Sequence, residues 1–296
     1  MFKKISAGVI ACLMLGALAA NTNAILSDKT ATAPGVANGS INVADGTTLD
    51  AGYGTTSIPL VEFNDQRGYS DHETYGKFWT AFDADYLYVY VEVTDPDIDY
   101  SGAQDHMKDS VAILIDFDYN RTENYPYGDN PNNRVGYLNL TGQGSYVSYH
   151  IYNGEARPEY ADLAAMVKYS AVADTGDGRI LYEFALPFPD DFEVVEGAKF
   201  GLEVQINACG DQQRLGMTTW SYDGSNNWRW SDCAGTMILG APYVEPDEPT
   251  DDPTDDPTDE PTDEPTDTPV TADAGLVAAA ALMAVAAGVV LSKKRG

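Results

Sequence analysis

The sequence has few bases and few of the residues that carry common catalytic chemistry. Of 296 residues, 17 are Lys or Arg and 46 are Asp or Glu, a formal net charge of −29 at pH 7. Such a surface repels phosphate backbones and anionic lipid headgroups, so nucleic acid is not an expected partner. Neutral ligands, and cations such as calcium, remain compatible. There are 3 histidines, scattered at His72, His106 and His150. No His-Glu-x-x-His, no Gly-x-Ser-x-Gly and no phosphate-binding loop occurs, which leaves the common zinc-protease, serine-hydrolase and nucleotide chemistries without a motif. Of the 3 cysteines, Cys12 lies in the leader, leaving Cys209 and Cys233. A helical hydrophobic period is also missing: the body reads as many short strands separated by turns.

Both ends of the chain are special. Lys3-Lys4, an apolar run from Ile5 to Ala20 and small residues to Ala24 form a secretory leader over residues 1–24. From Glu245 to Asp273 the chain carries thirteen acids and no base, with Pro-Thr-Asp-Asp/Glu repeated. Frequent proline and charge repulsion favour an extended, disordered stalk over residues 245–274. At ~3.1 Å per residue its reach is on the order of 70 Å. Residues 275–291 are uncharged and apolar, and Lys293-Lys294-Arg295 follows in the tail, residues 292–296. Seventeen residues sit at the short end of the roughly 17–25 that span a bilayer. The basic cluster then marks the cytoplasmic side, with the body of the protein outside and attached to the membrane by this C-terminal helix. Thr268-Pro269-Val270-Thr271-Ala272 before the run resembles a sortase signal, which makes a cell-wall linkage the alternative anchor.

Between these ends, residues 25–244 fit one domain. Phe78 to Asp83 leads through a tight turn at Ala84-Asp85 into Tyr86–Val93, where Leu87, Val89, Val91 and Val93 alternate with Tyr88, Tyr90 and Glu92. This is a hairpin with one apolar and one aromatic-polar face. Further strands are expected at 111–117, 135–140, 146–152, 166–172 and 180–186, with an edge strand at Ile41-Asn42-Val43. The pattern predicts an all-β antiparallel sandwich.

The most informative stretch runs from Lys199 to Gly240. Phe200, Leu202, Val204 and Ile206 alternate with Glu203, Gln205 and Asn207, the mark of a half-buried strand. Its second face carries an acid and two amides rather than surface lysines. Three of the 4 tryptophans follow, Trp220, Trp228 and Trp230, the last two at the end of a polar loop that includes Asn226. Aromatic planes beside carboxamides offer what a sugar ring needs: flat faces for its C–H groups and partners for its hydroxyls. The strand-end Trp220 reads as core, and Trp228 as exposed.

Trp79 to Val89, Asp109 to Asp116 and the run Arg214 to Trp230 with Gly235 resemble, in order, the W-D-D-x-x-L-Y-V, D-S-V-E-I-F-I-D and R-x-G…W…W…G segments of family 9 carbohydrate-binding modules. The resemblance spans about Ile41 to Leu239. It implies a DOMON-like, jelly-roll β-sandwich that binds polysaccharide or oligosaccharide without cleaving it. Two aromatic rings would clamp a sugar while acid, amide and arginine groups take its hydroxyls. Trp228 falls at one clamp position and Gln205 at the amide. The second clamp falls at His106 and the acid of the D-S-V-E strand at Ala112, which removes a stacking plane and an acceptor. The expected sugar-binding residues are Trp228, Gln205, Asn207, Asn226 and His106.

Three further expectations follow. Asp116-x-Asp118-x-Asn120 and Asp95-x-Asp97-x-Asp99 place oxygen ligands at alternate positions, as a structural Ca2+ prefers. Cys209 and Cys233 flank two strands; as antiparallel neighbours these would allow an extracellular disulfide worth about 3 kcal/mol, and otherwise leave two separate thiols. A glycoside hydrolase, the alternative function, needs paired carboxylates, for which Glu92, Glu183 and Glu203 are the candidates on one sheet face. A structural or adhesive surface protein without a sugar site is the remaining class.

Overall fold

Strict alternation of apolar side chains organises two sheets face to face. The computed structural model describes residues 27–43, 48–65, 74–119, 134–172, 178–221 and 234–245. All of them belong to the first of the two units into which the chain divides, Met1–Pro246 and Asp247–Gly296. The expected leader, stalk and apolar C-terminal helix therefore lie outside the described residues, as does Trp228. Among the described residues no helix is long and apolar enough to cross a membrane.

The strands are β1 (Thr30–Ala33), β2 (Ile58–Leu60), β3 (Glu62–Asp65), β4 (Tyr75–Phe82), β5 (Tyr86–Thr94), β6 (Ser110–Asp116), β7 (Val135–Thr141), β8 (Tyr146–His150), β9 (Lys168–Val172), β10 (Arg179–Pro187), β11 (Lys199–Gly210), β12 (Gln213–Thr219) and β13 (Gly235–Leu239). The first sheet has the order β1-β13-β11-β6-β7-β8, with β12 pairing the far half of β11 and then β3. The second has the order β2-β4-β5-β10-β9. Nearly all pairings are antiparallel, as expected, but β1 runs parallel to β13. Phe200, Leu202, Val204 and Ile206 of β11 face Val111, Ile113 and Ile115 of β6, and the opposing sheet adds Val89, Val91, Tyr182 and Phe184 to the same core.

Two departures from the sequence reading have clear causes. Ile41 and Val43 form no strand; with Val36 and Tyr53 they are buried across the outer face of the second sheet, over Trp79, Tyr88, Tyr90 and Leu181. The aromatic face of the β4–β5 hairpin is thus a second, smaller core and not a solvated surface. The segment before β9 contains a short helix, α1 (Ala161–Met166), whose six residues are too few to show a hydrophobic period.

The turn between β4 and β5 is set by one side chain. The buried Asp83 carboxylate accepts the N–H groups of Asp85 at 2.9 Å and Tyr86 at 2.8 Å, and the hydroxyl of Tyr88 at 2.7 Å. An aspartate that bonds the backbone ahead of it closes a turn without glycine.

Candidate functional site

The outward face of the first sheet is a lattice fixed by register. One row across β12, β11, β6, β7 and β8 reads Thr219, Gln205, Ala112, Asn139 and Val147. The next row toward the end of β11 reads Met217, Asn207, Ser110 and Thr141. On the other side lie Glu203, Leu114, Tyr137 and Tyr149. Side chains of one strand that are two residues apart share a face, so these three rows look the same way.

A polar spine runs through the lattice. Gln205 Nε2 donates to Asn207 Oδ1. Arg214 Nη1 donates to the same oxygen at 3.1 Å. Asn207 Nδ2 donates to Ser110 Oγ at 2.9 Å, and Asn139 Nδ2 donates to it at 3.2 Å. Ser110 passes its own proton to the carbonyl of Asp105. The Oδ1 of Asn139, in the same row as Gln205, is buried and has no hydrogen-bond partner among the described residues.

The expected sugar residues behave differently from one another. Gln205 and Asn207 are brought together, but Asn207 is fully buried and its amide is engaged with Gln205, Arg214 and Ser110. Ser110, Asn139 and Gln205 beside it are nearly as buried. His106 sits in the short turn Asp105–Met107, half-buried, and burial with the nearby Arg214 charge holds its imidazole below its ordinary value. At neutral pH it is an uncharged ring at the rim of the spine. Trp228 and Asn226 lie outside the described residues. Trp220 is buried, its ring edge-on to Phe78 at 5.5 Å, in the core as the strand-end reading predicts.

The sequence reading missed Arg214, Ser110, Asn139 and Tyr137 as members of this face. The alternation of Val135–Leu140 contained the signal for Tyr137 and Asn139, since the residues on either side of the core residue Leu138 must point outward. Burial lowers the pKa of Arg214, yet its guanidinium remains charged, so the spine carries one partly desolvated cation.

The acids divide into separate structural duties. Asp116 caps the N–H groups of Asp118 at 3.1 Å and Tyr119 at 3.2 Å. Asp118 is bound at both oxygens by Arg134, through Nε and the backbone N–H, each at 2.7 Å. A guanidinium thus occupies the position a cation would take, and the described part of this run does not fit calcium as it stands; Asn120 lies outside the described residues. In the second run, Asp95 and Asp99 cap the N–H groups of Asp97 and Ser101. Asp109 accepts the N–H groups of Cys209, at 2.7 Å, and Asp99, tying the loop after β5 to β11. Among the described residues no group of three or more His, Cys, Asp and Glu is placed to hold a metal. Cys209 is buried, with Sγ against the carbonyl of His106 at 3.9 Å, and Cys233 lies outside the described residues.

The carboxylates proposed for hydrolysis do not share a face. Glu203 points out of the first sheet, whereas Glu92 and Glu183 point out of the second, on the opposite side of the sandwich. Glu183 takes a hydrogen bond from Tyr53 at 2.9 Å, and Glu92 pairs with Lys77 and Arg179. Glu203 therefore cannot work with either as an acid–nucleophile pair, which requires roughly 5–10 Å between carboxyl groups.

Comparison with known proteins gives the same picture. Residues 44–241 match the model of the carbohydrate family 9 binding domain-like family. Endo-1,4-beta-xylanase C of Paenibacillus barcinonensis is 30% identical over 160 residues, which is 53% of this chain and 13% of that enzyme. Endo-1,4-beta-xylanase A of Thermotoga maritima is 24% identical over 173 residues, 58% of this chain and 14% of that enzyme. The chain thus matches only a small part of these much longer enzymes. A family 9 carbohydrate-binding module of Caldicellulosiruptor kristjanssonii, solved with cellotriose, superposes with a TM-score of 0.59 at 18% identity, covering 75% of this chain and all of that one. Its complex with glucose gives 0.59 at 16% identity, covering 74% and 100%. The structural likeness shows a shared fold, and the matched segment covers the strands that build the polar spine, so the chain belongs to the carbohydrate family 9 binding domain-like family.

Proposed function

We propose that this protein binds a polysaccharide or oligosaccharide non-covalently, without cleaving it, through the outward face of its first sheet. The observation that carries this reading is the spine Gln205–Asn207–Ser110–Asn139 with Arg214 set on it. A neutral sugar is recognised by donors and acceptors already fixed in place, because ordering loose side chains on binding costs roughly 0.5–1.5 kcal/mol each. Here the interlocked amides supply that rigidity. One solved module of the same fold supports the ligand class: it is in complex with cellotriose and with glucose. Trp228 and Asn226, which lie outside the described residues, belong to this reading on the sequence alone, with the indole as the stacking plane.

The test is isothermal titration of the purified protein with glucose, cellotriose and xylotriose, alongside Arg214→Ala. The wild type binds at least one sugar, and Arg214→Ala weakens that binding about tenfold or more, the scale of a hydrogen bond to a charged group. No heat from any of the sugars overturns the reading. Reducing-sugar release from glucan and xylan is expected to stay at background; release that depends on Glu203 restores the hydrolase alternative. The leader pattern and the apolar run at 275–291 support a further part of the proposal, that the domain is exported and held at the cell surface by its C-terminus. Proteolytic shaving of intact cells checks it, and retention of the protein after shaving counts against it.

A further inference from the structure

Pro187 and Pro189 end β10, since neither can donate to a ladder. Beyond them the chain folds back: the Phe192 N–H donates to the Pro189 carbonyl at 2.8 Å, and the Phe192 ring stacks on Phe188 at 5.3 Å and 10°. Phe117 meets Phe188 edge-on at 5.8 Å and fixes the pair from the core side. This loop, the helix α1 and the β4–β5 turn enclose a cavity of about 510 Å³. That volume falls in the roughly 300–1,000 Å³ range of pockets that hold a ligand. No residue of the polar spine lines it.

Floor and rim differ in chemistry. Leu163 and Met166 of α1, with Phe188 and Phe192, give an apolar floor, and Met166 is left 43% exposed. Asp85, Asp162 and Asp190 stand on the rim, all three exposed. None of them forms an ion pair among the described residues. No Lys or Arg lines the cavity. The two other acids of the rim show what it accepts. Asp191 holds Arg134 at 3.0 Å, and Glu159 holds Arg157, whose guanidinium lies 5.1 Å from the centre of the Tyr160 ring. A cleft lined by one sign of charge focuses the field and draws in the other sign.

We propose that this cavity is a docking site for a basic segment of a partner protein. An apolar side chain enters between α1 and the Phe188–Phe192 pair, while flanking Lys or Arg side chains meet Asp85, Asp162 and Asp190. Charge complementarity selects this occupant: a neutral sugar uses none of the three carboxylates, and an acidic partner is repelled by them. A metal ion would leave Leu163 and Met166 uncovered. No spine residue takes part, so the site does not depend on the function proposed above.

Fluorescence polarisation of the full chain with two labelled, end-blocked peptides tests it. One is Lys-Arg-Leu-Leu-Arg-Lys; the other, Lys-Arg-Ser-Ser-Arg-Lys, keeps every charge. The wild type binds the leucine peptide about tenfold more tightly or better, because only leucine covers the floor. Asp162→Asn with Asp190→Asn weakens that peptide about five- to tenfold, the scale of two partly exposed ion pairs, and the loss shrinks at high salt. Both positions are exposed, so the core is untouched. Met166→Ser weakens it about fivefold. Asp28→Asn with Asp211→Asn removes two exposed charges that do not line the cavity and leaves binding unchanged. Equal binding of the two peptides overturns the site, since it reports only the attraction of an acidic protein for bases. Equal losses from the two double variants overturn it for the same reason. Absence of binding overturns it as well. Sugar titration is a separate readout, and its failure leaves this site standing.

Discussion

The carboxylate of Glu203 accepts the backbone N–H of Trp220 at 2.8 Å. The same carboxylate accepts the N–H of Ser221 at 3.2 Å and the Ser221 hydroxyl. It thus fastens the chain where it leaves β12 toward residues 222–233, the stretch that holds Asn226 and Trp228. Glu203→Ala takes this acceptor from the Ser221 N–H and hydroxyl, whereas the Trp220 N–H keeps the Val204 carbonyl at 3.1 Å. The expected result is a loss of about 1–3 kcal/mol in chemical denaturation together with weaker sugar binding. Glu203→Gln keeps an acceptor oxygen and loses far less of either. Equal stability of the alanine variant and the wild type would remove this anchoring role.

Stability should fall as pH rises from about 4 to 8, the reverse of the behaviour of an ion-paired carboxylate. Burial, and then the adjacent Asp95, pushes Asp109 from 3.8 up to about 8, and burial raises Asp95 as well. Burial raises Glu203 from 4.5 to about 7, against the lowering effect of its Ser221 and backbone hydrogen bonds. For an acid whose folded value lies above its unfolded value, the native state holds the proton longer. Its stabilisation is complete below the unfolded value and is lost as pH climbs through the folded one. The window is therefore about 3.8 to 8 for Asp109 and 4.5 to 7 for Glu203. A melting temperature measured from pH 4.5 to 8.5 should decline throughout. Asp109→Asn should flatten the curve, since its amide keeps an acceptor for the Cys209 N–H and offers a donor to Asp95 without titrating. A flat wild-type profile would contradict the buried, proton-sharing pair.

The parts of the fold visible in the sequence are those in which one strand carries its own pattern. Phe200 to Asn207 alternates because β11 is half-covered on each face, and the β4–β5 hairpin shows itself through Asp83 and the valines of β5. The acid and two amides of β11 also stood out, because they replace the usual exposed lysines. Relations between distant segments were not legible. That Ile41 and Val43 cover Tyr88 and Tyr90 is a tertiary fact, and no local pattern distinguishes a short buried cover from an edge strand. The same holds for Ser110 and Asn139: each is an ordinary strand residue until register sets both beside Asn207. Asn207 suits a sugar contact by residue type, whereas its hydrogen bonds to Gln205, Arg214 and Ser110 follow from register and could not be read locally.

Gly235 is required by the ring of Trp220. A Cβ added there would stand 2.6 Å from Cζ3 and 2.7 Å from Cη2 of the indole. Trp220 cannot yield readily, since it is buried against Phe78 and its backbone is held by Glu203 and the carbonyl of Val204. Gly235→Ala therefore forces overpacking at the junction of β11 and β13, at a cost of about 1–3 kcal/mol. The fluorescence of Trp220 should shift as its packing changes. The double variant Gly235→Ala, Trp220→Phe should recover part of the lost stability, because the smaller ring makes room; a double variant no better than the sum of its parts would show that the contact does not decide the outcome.

The Tyr53–Glu183 pair tests whether the carboxylates of the second sheet serve only the fold. The Tyr53 hydroxyl donates to Glu183 Oε1 at 2.9 Å, and both groups are buried where the N-terminal segment lies across β10. Burial, and then the Glu183 charge, pushes the tyrosine well above its ordinary value, so at neutral pH it remains a donor. Tyr53→Phe removes that donor while keeping the ring against Tyr90, 5.9 Å away. The carboxylate loses one hydrogen bond in a dry setting, which costs about 1.5–3 kcal/mol for a bond to a charged acceptor. Denaturation should register that loss. Sugar titration should not, because Gln205 and Arg214 project from the opposite sheet. A Tyr53→Phe variant of unchanged stability but weakened sugar binding would move the ligand to the second sheet.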